Sequence, residues 1–450
     1  MITRIEVNGF KSLSQFELNL NKGLNILVGP NGCGKTNIIL FFEFLSKITS
    51  NQIGYAVSSI GGAGSIFKKI GFEDYDKNID FKIFGSKKIS TKKYVTYEYG
   101  AKITTSFEKD NIFYSNQSIR LKTGTKFWSS PKDKLYPSKW DFDIDIFYVD
   151  NTIDVTLNSI NKSKFRESYF YEEDKEKSFE DTIVNSLKRS NPIYKNIITS
   201  LFPIIEQYSL LIQSDLIGGE TFNIVPTKVK DQEDASTPPG IKKDGSGLAT
   251  TLYAMKKGKP KETNIWPRFF YFYEKEEKTF DPTTLKQIIS YLKLANNTIV
   301  DLDVKNDPFD NKLMVKIYIK TGSYDAVLPL SAMSDGTIKW LALITAILTS
   351  KTIFSIEEPE NFLHPWMQAE IASIMRNHIT DKNDESFVIM TTHSESLLNY
   401  SQPNEIILIS LEDGNTRAKR IKEISIIEEE ISNSGYGLGH FYFSNALQNE

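Results

Sequence analysis

A single cysteine, Cys33, stands in the chain, which excludes a disulfide framework or a cysteine-based zinc site within it. The four histidines form no metalloprotease motif. No stretch of ~18 apolar residues occurs, and the N-terminus reads directly as a strand without an apolar signal core. Secretion and membrane contact are therefore not expected, and the reduced cytoplasm is the expected compartment. A dominant charge is also lacking: 54 Lys+Arg against 57 Asp+Glu leave a net charge of −3, so there is no global basic footprint for nucleic acid. Any DNA contact has to come from a local patch. Hydrophobic residues at 40% and charged residues at 25% are the composition of a folded globular chain, not a disordered one. A chain of 450 residues suffices for one large fold with insertions, or for several domains.

What is present starts with glycine. Gly29, Pro30, Asn31, Gly32, Cys33, Gly34, Lys35 and Thr36 follow the apolar run Leu24-Asn-Ile-Leu-Val28 and fit G-x-x-x-x-G-K-S/T between a strand and a helix. Gly29, Gly32 and Gly34 let successive N–H groups point into one concavity, capped by the N-terminus of a helix over 35–47 that carries Asn37 in its first turn. The pattern predicts a nucleotide-phosphate site for ATP. Lys35 reaches the β- and γ-phosphates and Thr36 ligates Mg²⁺. Cys33 is read as a small side chain filling the loop.

Two further strands carry polar groups at their ends. Lys351-Thr-Ile-Phe-Ser-Ile356 runs into Glu357-Glu358-Pro-Glu360, and Phe387-Val-Ile-Met390 runs into Thr391-Thr-His-Ser394. Both read as buried parallel strands, and open α/β sheets bind ligands at the carboxyl ends of such strands. Glu357, Glu358 and His393 are therefore expected in the crevice of the P-loop. Before them, Leu330-Ser-Ala-Met-Ser-Asp-Gly-Thr337 leads into a helical pattern from Ile338 to Leu348. Ser334 is the expected N-cap, and Gly336 leaves that helix N-terminus open to an anion.

In this order, the P-loop, Ser334-Asp335-Gly336-Thr337, Glu357-Glu358-Pro-Glu360, the D-loop-like Asn361-Phe-Leu-His-Pro365 and Thr391-Thr-His393-Ser394 resemble the ABC-type ATPases of the RecF/SMC/Rad50 class. They are most similar to the compact bacterial ATPases called RecF-like or OLD-like. The opening Ile2-Thr-Arg-Ile-Glu-Val-Asn-Gly-Phe-Lys11-Ser12 resembles that group's first strand, where a basic residue at the position of Lys11 approaches the nucleotide. Lys243-Asp-Gly-Ser-Gly-Leu-Ala249 also resembles it. The resemblance covers residues 1–48 and 240–400, and 50–235 only in general layout. It implies an α/β fold: a P-loop NTPase of the ABC/SMC-head type with an antiparallel β lobe and an inserted helical arm. It also implies roles. Glu358 would be the general base for the attacking water. Glu357 would take the Walker B position, usually an Asp, and hold Mg²⁺ with Thr36. His393 would sense the γ-phosphate. Ser334, Asp335, Gly336 and Thr337 would complete the nucleotide site of a second protomer, because in this class the signature cannot reach its own P-loop. A homodimer, or a higher even-numbered homo-oligomer, that closes on ATP is the expected assembly.

Along the chain the expected division is residues 1–150 as ATPase lobe I with P-loop and β-rich layer, 151–263 as a helical insertion and flexible loop, 264–415 as lobe II with signature, Walker B and switch histidine, and 416–450 as a short tail. Apolar stripes at Ile183, Leu187, Ile197, Ile198, Leu201, Ile204, Ile205, Leu210 and Leu211 predict helices over 160–218. Asp231-Gln-Glu-Asp-Ala-Ser-Thr-Pro-Pro-Gly240 reads as a flexible linker. The family's Q-loop is expected after Phe147-Tyr-Val-Asp150; no glutamine stands there, and Asn151 and Asp154 are the polar residues in its place.

Basic clusters at Lys87-Lys88 with Lys92-Lys93, Lys256-Lys257 with Lys259 and Lys261, and Arg417 with Lys419, Arg420 and Lys422 are candidate phosphate contacts, although charge runs are usually solvated faces. The resemblance leaves two functions open. One is an ATP-gated sensor or scaffold of bacterial antiphage defence, as in PARIS, Septu or Gabija-like systems, controlling a separate nuclease-like effector. The other is a RecF-like repair or maintenance ATPase acting on DNA directly. An OLD-type nuclease would need a C-terminal TOPRIM carboxylate cluster, and the stretch after His393 is too short for one, so no nuclease domain is expected in this chain.

Overall fold

The computed structural model describes residues 1–72, 74–88, 93–106, 111–125, 139–160, 176–201, 206–217, 219–258, 280–320, 322, 325–350, 353–382 and 386–444. Alternating apolar positions build its first sheet. Ile2–Asn8 (β1), Phe16–Asn19 (β2), Asn78–Lys88 (β4), Lys93–Ser106 (β5), Asn111–Thr125 (β6), Lys139–Val149 (β7) and Thr152–Ile160 (β8) pair antiparallel in the order β2-β1-β4-β5-β6-β7-β8. In β4 the period-two pattern buries Ile79, Phe81 and Ile83. That face meets the helix Lys35–Ser50, whose Ile38, Phe41, Phe44 and Ile48 are buried at helical spacing. Phe10 packs edge-on against Phe41 with ring centroids 5.3 Å apart. Each such side chain contributes about 1.5–3 kcal/mol by leaving water.

The helices Glu176–Ser190, Ile197–Ser200 and Glu206–Ile217 close the other part of this core and do not stand away from it. Ile183, Leu187, Ile197, Ile198, Ile212 and Leu216 are buried in it. Buried Gln117 on β6 ties them down, donating to Pro192 O (2.6 Å) and Lys195 O (2.9 Å) and accepting from Ile197 N–H (3.0 Å). The expected arm thus differs from what is seen: its apolar stripes find the β lobe as partner. Residues 161–175 and Ile204 and Ile205 lie outside the described residues.

The central strands of the second sheet are continuous apolar runs, as strands covered on both faces require. Gly23–Val28 (β3), Glu220–Phe222 (β9), Ile353–Glu357 (β14), Phe387–Thr392 (β15), Ile406–Glu412 (β16) and Asn415–Arg420 (β17) take the order β17-β16-β3-β15-β14-β9. All neighbours are parallel except β16 with β17. A smaller antiparallel sheet, Glu233–Asp234 (β10), Ile299–Asp307 (β11), Lys312–Lys320 (β12) and Asp325–Pro329 (β13), joins the same second core. Phe222, Ile224, Leu248 and Leu252 are already in that core, so it begins before the expected boundary at 264, which lies outside the described residues. Among the described residues no helix is long and apolar enough to cross a membrane.

The segment read as a flexible linker is laid down in specific contacts. Glu233 and Asp234 pair with Leu313 and Lys312, Gly240 N–H donates to Thr251 Oγ1 at 2.8 Å, and Asn311 donates to Asp234 at 2.6 Å. Glu233 also accepts from the N–H groups of Gly247 (2.6 Å) and Thr250 (2.8 Å), capping the helix Leu248–Lys257, whose own N-cap is a glycine. Composition alone hid this because the polar residues pair with amides distant in sequence. Glu233→Ala is expected to cost about 1–2 kcal/mol of stability by orphaning two helix amides. Urea unfolding reads it, and an unchanged midpoint removes the capping role.

Candidate nucleotide site

The loop 29–36 leaves the carboxyl end of β3 with Gly32 at φ +80° and Gly34 at φ +103°, backbone settings that only glycine adopts without strain. A side chain at Gly34 would meet Thr416 Oγ1 at 2.0 Å. Thr416, on β17, donates to Cys33 O (2.9 Å) and is bonded to Ser12 Oγ (2.6 Å), which accepts from Asn37 Nδ2 (2.7 Å). The amide of Asn37 thus fastens Ser12, and through it Lys11 (φ +49°), to the P-loop helix. The first turn of that helix carries no acidic residue and no side-chain cap, leaving its amides for an anion. Lys35 is 6% exposed; its ammonium donates to Gly29 O (2.7 Å) and Pro30 O (3.0 Å). Burial pushes that ammonium below the usual lysine range, against the opposing pull of Cys33, Glu358 and Glu360.

The sheet order sets the rest. β15 and β14 lie beside β3 in parallel, so Glu357, Glu358 and His393 emerge at the same edge as the P-loop. Glu357 is half-buried, and the Thr36 side chain favours its charged form. Burial first, and then Glu358 and Glu43, raise its proton affinity, while Lys243 opposes; Lys243 itself pairs with Glu43 at 2.7 Å. A hydroxyl and a carboxylate at the same end of the sheet suit Mg²⁺, which takes one or two protein oxygens and fills its octahedron with phosphate and water. Glu358 has φ +43°; its N–H donates to Thr391 O at 3.1 Å and its Oε2 accepts from Asn361 Nδ2 at 3.0 Å. His393 Nε2 lies 3.6 Å from Glu358 Oε1, with both side chains partly exposed. Glu360 holds the end of β15: its Oε1 accepts from Thr392 Oγ1 (2.8 Å) and His393 N–H (2.7 Å), while its buried Oε2 has no hydrogen-bond partner.

Ser334 caps the helix Asp335–Thr349, accepting from Thr337 N–H at 3.3 Å. Asp335 pairs with Lys230 at 2.7 Å. A side chain at Gly336 would meet Phe362 O at 2.7 Å, so this helix end rests on the D-loop. Ser334, Gly336 and Thr337 line an open cavity of about 600 Å³ with Asn296, Phe362 and Trp366, and none of residues 29–37 borders it.

One residue at the site, Lys339, escaped the sequence reading. Asn151 and Asp154, the polar residues read in the place of the Q-loop, sit in the β7–β8 turn at φ +67° and on β8, both in the antiparallel sheet and not in the sheet that carries the P-loop. Asn223 follows β9, the strand beside β14, and its N–H donates to Lys243 O at 2.7 Å. Lys339 is a lysine within a fully buried helical run, a signal visible in the sequence. Its Nζ donates to Glu358 O at 3.2 Å, and burial pushes the ammonium down to about 8 against the pull of Glu360 and Glu358. Several residues of the basic clusters are engaged by partners within the chain, although most remain exposed or half-buried. Lys87 bonds Ser214 and Asp215, Lys256 pairs with Asp303, Lys257 covers the Tyr253 ring, and Arg417 and Arg420 donate to Ser14 O and Asn19 O. Lys419 and Lys422 are exposed, whereas Lys92, Lys259 and Lys261 lie outside the described residues.

Residues 230–399 match the family described as "AAA domain, putative AbiEii toxin, Type IV TA system". The chain is 24% identical over 135 residues to the Septu protein PtuA of Bacillus thuringiensis, covering 30% of this chain and 31% of that one. It is 31% identical over 52 residues to the DNA replication and repair protein RecF of Renibacterium salmoninarum, 12% of this chain and 13% of that protein. A solved SmcHead bound to the C-winged helix domain of ScpA aligns with a TM-score of 0.46 and 12% identity over 95% of this chain and 99% of its own. These curated relatives are each matched over less than a third of their length.

Proposed function

We propose that this chain, an ABC-type ATPase of the RecF/SMC class, hydrolyses ATP as a homodimeric clamp or sensor that controls a separate effector in bacterial antiphage defence. The observation that carries the ATPase reading is the convergence of Lys35, Thr36, Glu357, Glu358 and His393 on one sheet edge, while the signature residues line a cavity apart from the P-loop. Similarity to a Septu protein supports the defence role. In this reading the Lys35 ammonium exchanges the carbonyls of Gly29 and Pro30 for the β- and γ-phosphate oxygens. Glu358 accepts a proton from the attacking water, and His393 registers the γ-phosphate beside it. Thr36 and Glu357 would hold Mg²⁺, which when bound neutralises phosphate charge. A second copy's Ser334, Gly336 and Thr337 complete the phosphate shell, and loss of that shell on hydrolysis opens the clamp.

Mixing Ser334→Arg with Lys35→Ala tests the shared site. Each variant alone should be inactive, but the mixed dimer pairs one intact P-loop with one intact signature. With subunit exchange demonstrated, activity should recover to about a quarter of wild type if association is random and the sites act independently. A Ser334→Arg protein of wild-type activity removes the signature from the mechanism. Similarity to RecF keeps a DNA-acting ATPase as the second reading. It is favoured instead if duplex DNA, without any other protein, stimulates turnover several-fold in a salt-dependent way.

A further inference from the structure

Lys339 is 2% exposed on the helix Asp335–Thr349, one turn beyond the residues that line the signature cavity. A lysine so buried costs folding free energy unless its ammonium is engaged, and here it lies on the loop that carries the hydrolytic glutamate. Its Nζ donates to Glu358 O at 3.2 Å, sits 5.7 Å from the Phe362 ring centroid, and is drawn by the charges of Glu360 and Glu358. Three features of that loop call for such a brace. Glu358 and Phe362 both have positive φ, +43° and +68°, which non-glycine residues adopt only when the surroundings hold them. Glu360 grips His393 N–H and Thr392 through Oε1 yet keeps a buried Oε2 without a hydrogen-bond partner. The signature end of the same helix rests on Phe362 O, which leaves no room for a side chain at Gly336.

We propose that Lys339 is a positioning residue that locks the signature helix to the Glu358–Glu360 loop, so that one protomer's signature contacts and its own hydrolytic glutamate move as one body. This rests on the sandwich reading above and adds to it. A protomer's signature serves the partner's nucleotide, whereas its Glu358 serves its own. Lys339 therefore joins the two composite sites of a dimer, and occupancy of one is felt at the base of the other through this ammonium.

Lys339→Met keeps length and apolar bulk but removes the charge. The expected result is a fall in kcat of at least about tenfold with ATP affinity, measured by equilibrium titration, within about twofold, and a Hill coefficient for ATP that drops to about one. Lys339→Arg should restore a large part of kcat and the cooperativity. Glu360→Gln removes the facing charge while leaving an oxygen for His393 N–H, and keeps the proposal testable if the methionine variant does not fold. It should reproduce the loss of cooperativity, and the double variant should lose no more than either single one. Wild-type kcat and cooperativity in Lys339→Met, or in Glu360→Gln where the former does not fold, overturn the proposal alone. So does a parallel loss of ATP affinity that arginine fails to rescue. Absence of Lys35-dependent hydrolysis in the wild-type protein overturns the ATPase reading together with it.

Discussion

Replacing Glu358 by glutamine is expected to lower ATP turnover by about 10²–10⁴-fold, the range of a lost general base. ATP binding should survive. Glutamine is nearly isosteric with glutamate and retains one oxygen, which can still accept from Asn361 Nδ2 and so keep the loop as it stands at φ +43°. The other terminal atom becomes an amide donor, unable to take a proton from water or to attract His393 at its 3.6 Å separation. Binding and hydrolysis are then separated: the closed, ATP-loaded dimer should accumulate. Phosphate release measures the first effect, and light scattering with and without ATP measures the second. Hydrolysis near the wild-type rate in the Gln variant would mean that Glu358 is not the base.

Lys35→Ala should act earlier, at binding. The ammonium is held in the loop on two carbonyls and is buried, so its removal takes away the full positive charge that the loop itself offers the phosphates. Truncating such a hydrogen-bonded charge costs about 2–5 kcal/mol, or roughly 30- to several-thousand-fold in Kd. Stability should respond in the opposite sense or not at all. Burial lowers the Lys35 pKa in the folded state, so the fold binds that proton less tightly than the unfolded chain does. The penalty is fully present below the folded-state pKa, is relieved as pH rises from there towards the unfolded value, and is absent in alanine. Thermal unfolding without nucleotide should therefore stay at or above the wild-type midpoint near neutral pH, while the upward shift produced by ATP disappears. An ATP-induced shift equal to wild type would dismiss Lys35 from the site.

The candidate site is legible in the sequence because each of its parts is a short contiguous run. Gly29–Thr36, Glu357–Glu358 and His393 announce themselves by spacing, and the apolar character of β14 and β15 gave their direction. Strand β9 is hidden in the sequence because it is three residues long and has no periodicity of its own; only its pairing with Phe354–Ile356 reveals it. The partners of the basic clusters were hidden for a related reason. Charge in a sequence is visible, but the acceptors of Arg417 and Arg420, at Ser14, Asn19 and Asn25, lie at the other end of the chain. The stripes over 176–217 were read as helical, yet stripe and periodicity do not say whether the apolar face meets another helix or a sheet. Segment 231–240 looked loose because polar, proline-containing runs usually are, and its order depends on amides donated by Gly247 and Thr250.

The pairing of β3 bears on how this molecule is made. Its two neighbours, β15 and β16, are synthesised long after it, and the loop it carries is closed from behind by Thr416 on β17. A ribosome that has released the P-loop has released a glycine-rich strand end with both edges open and no backing for its amides. The β lobe can form first from near-neighbour hairpins, but nucleotide recognition has to wait for the last strands of the sheet. Until then β3 is an unpaired apolar strand, the kind of segment that chaperones shield and aggregates recruit. The loop that starts at residue 29 thus takes its final geometry only once the chain has been made through Thr416, and a product that stops before β17 lacks the hydroxyl that holds Cys33 O.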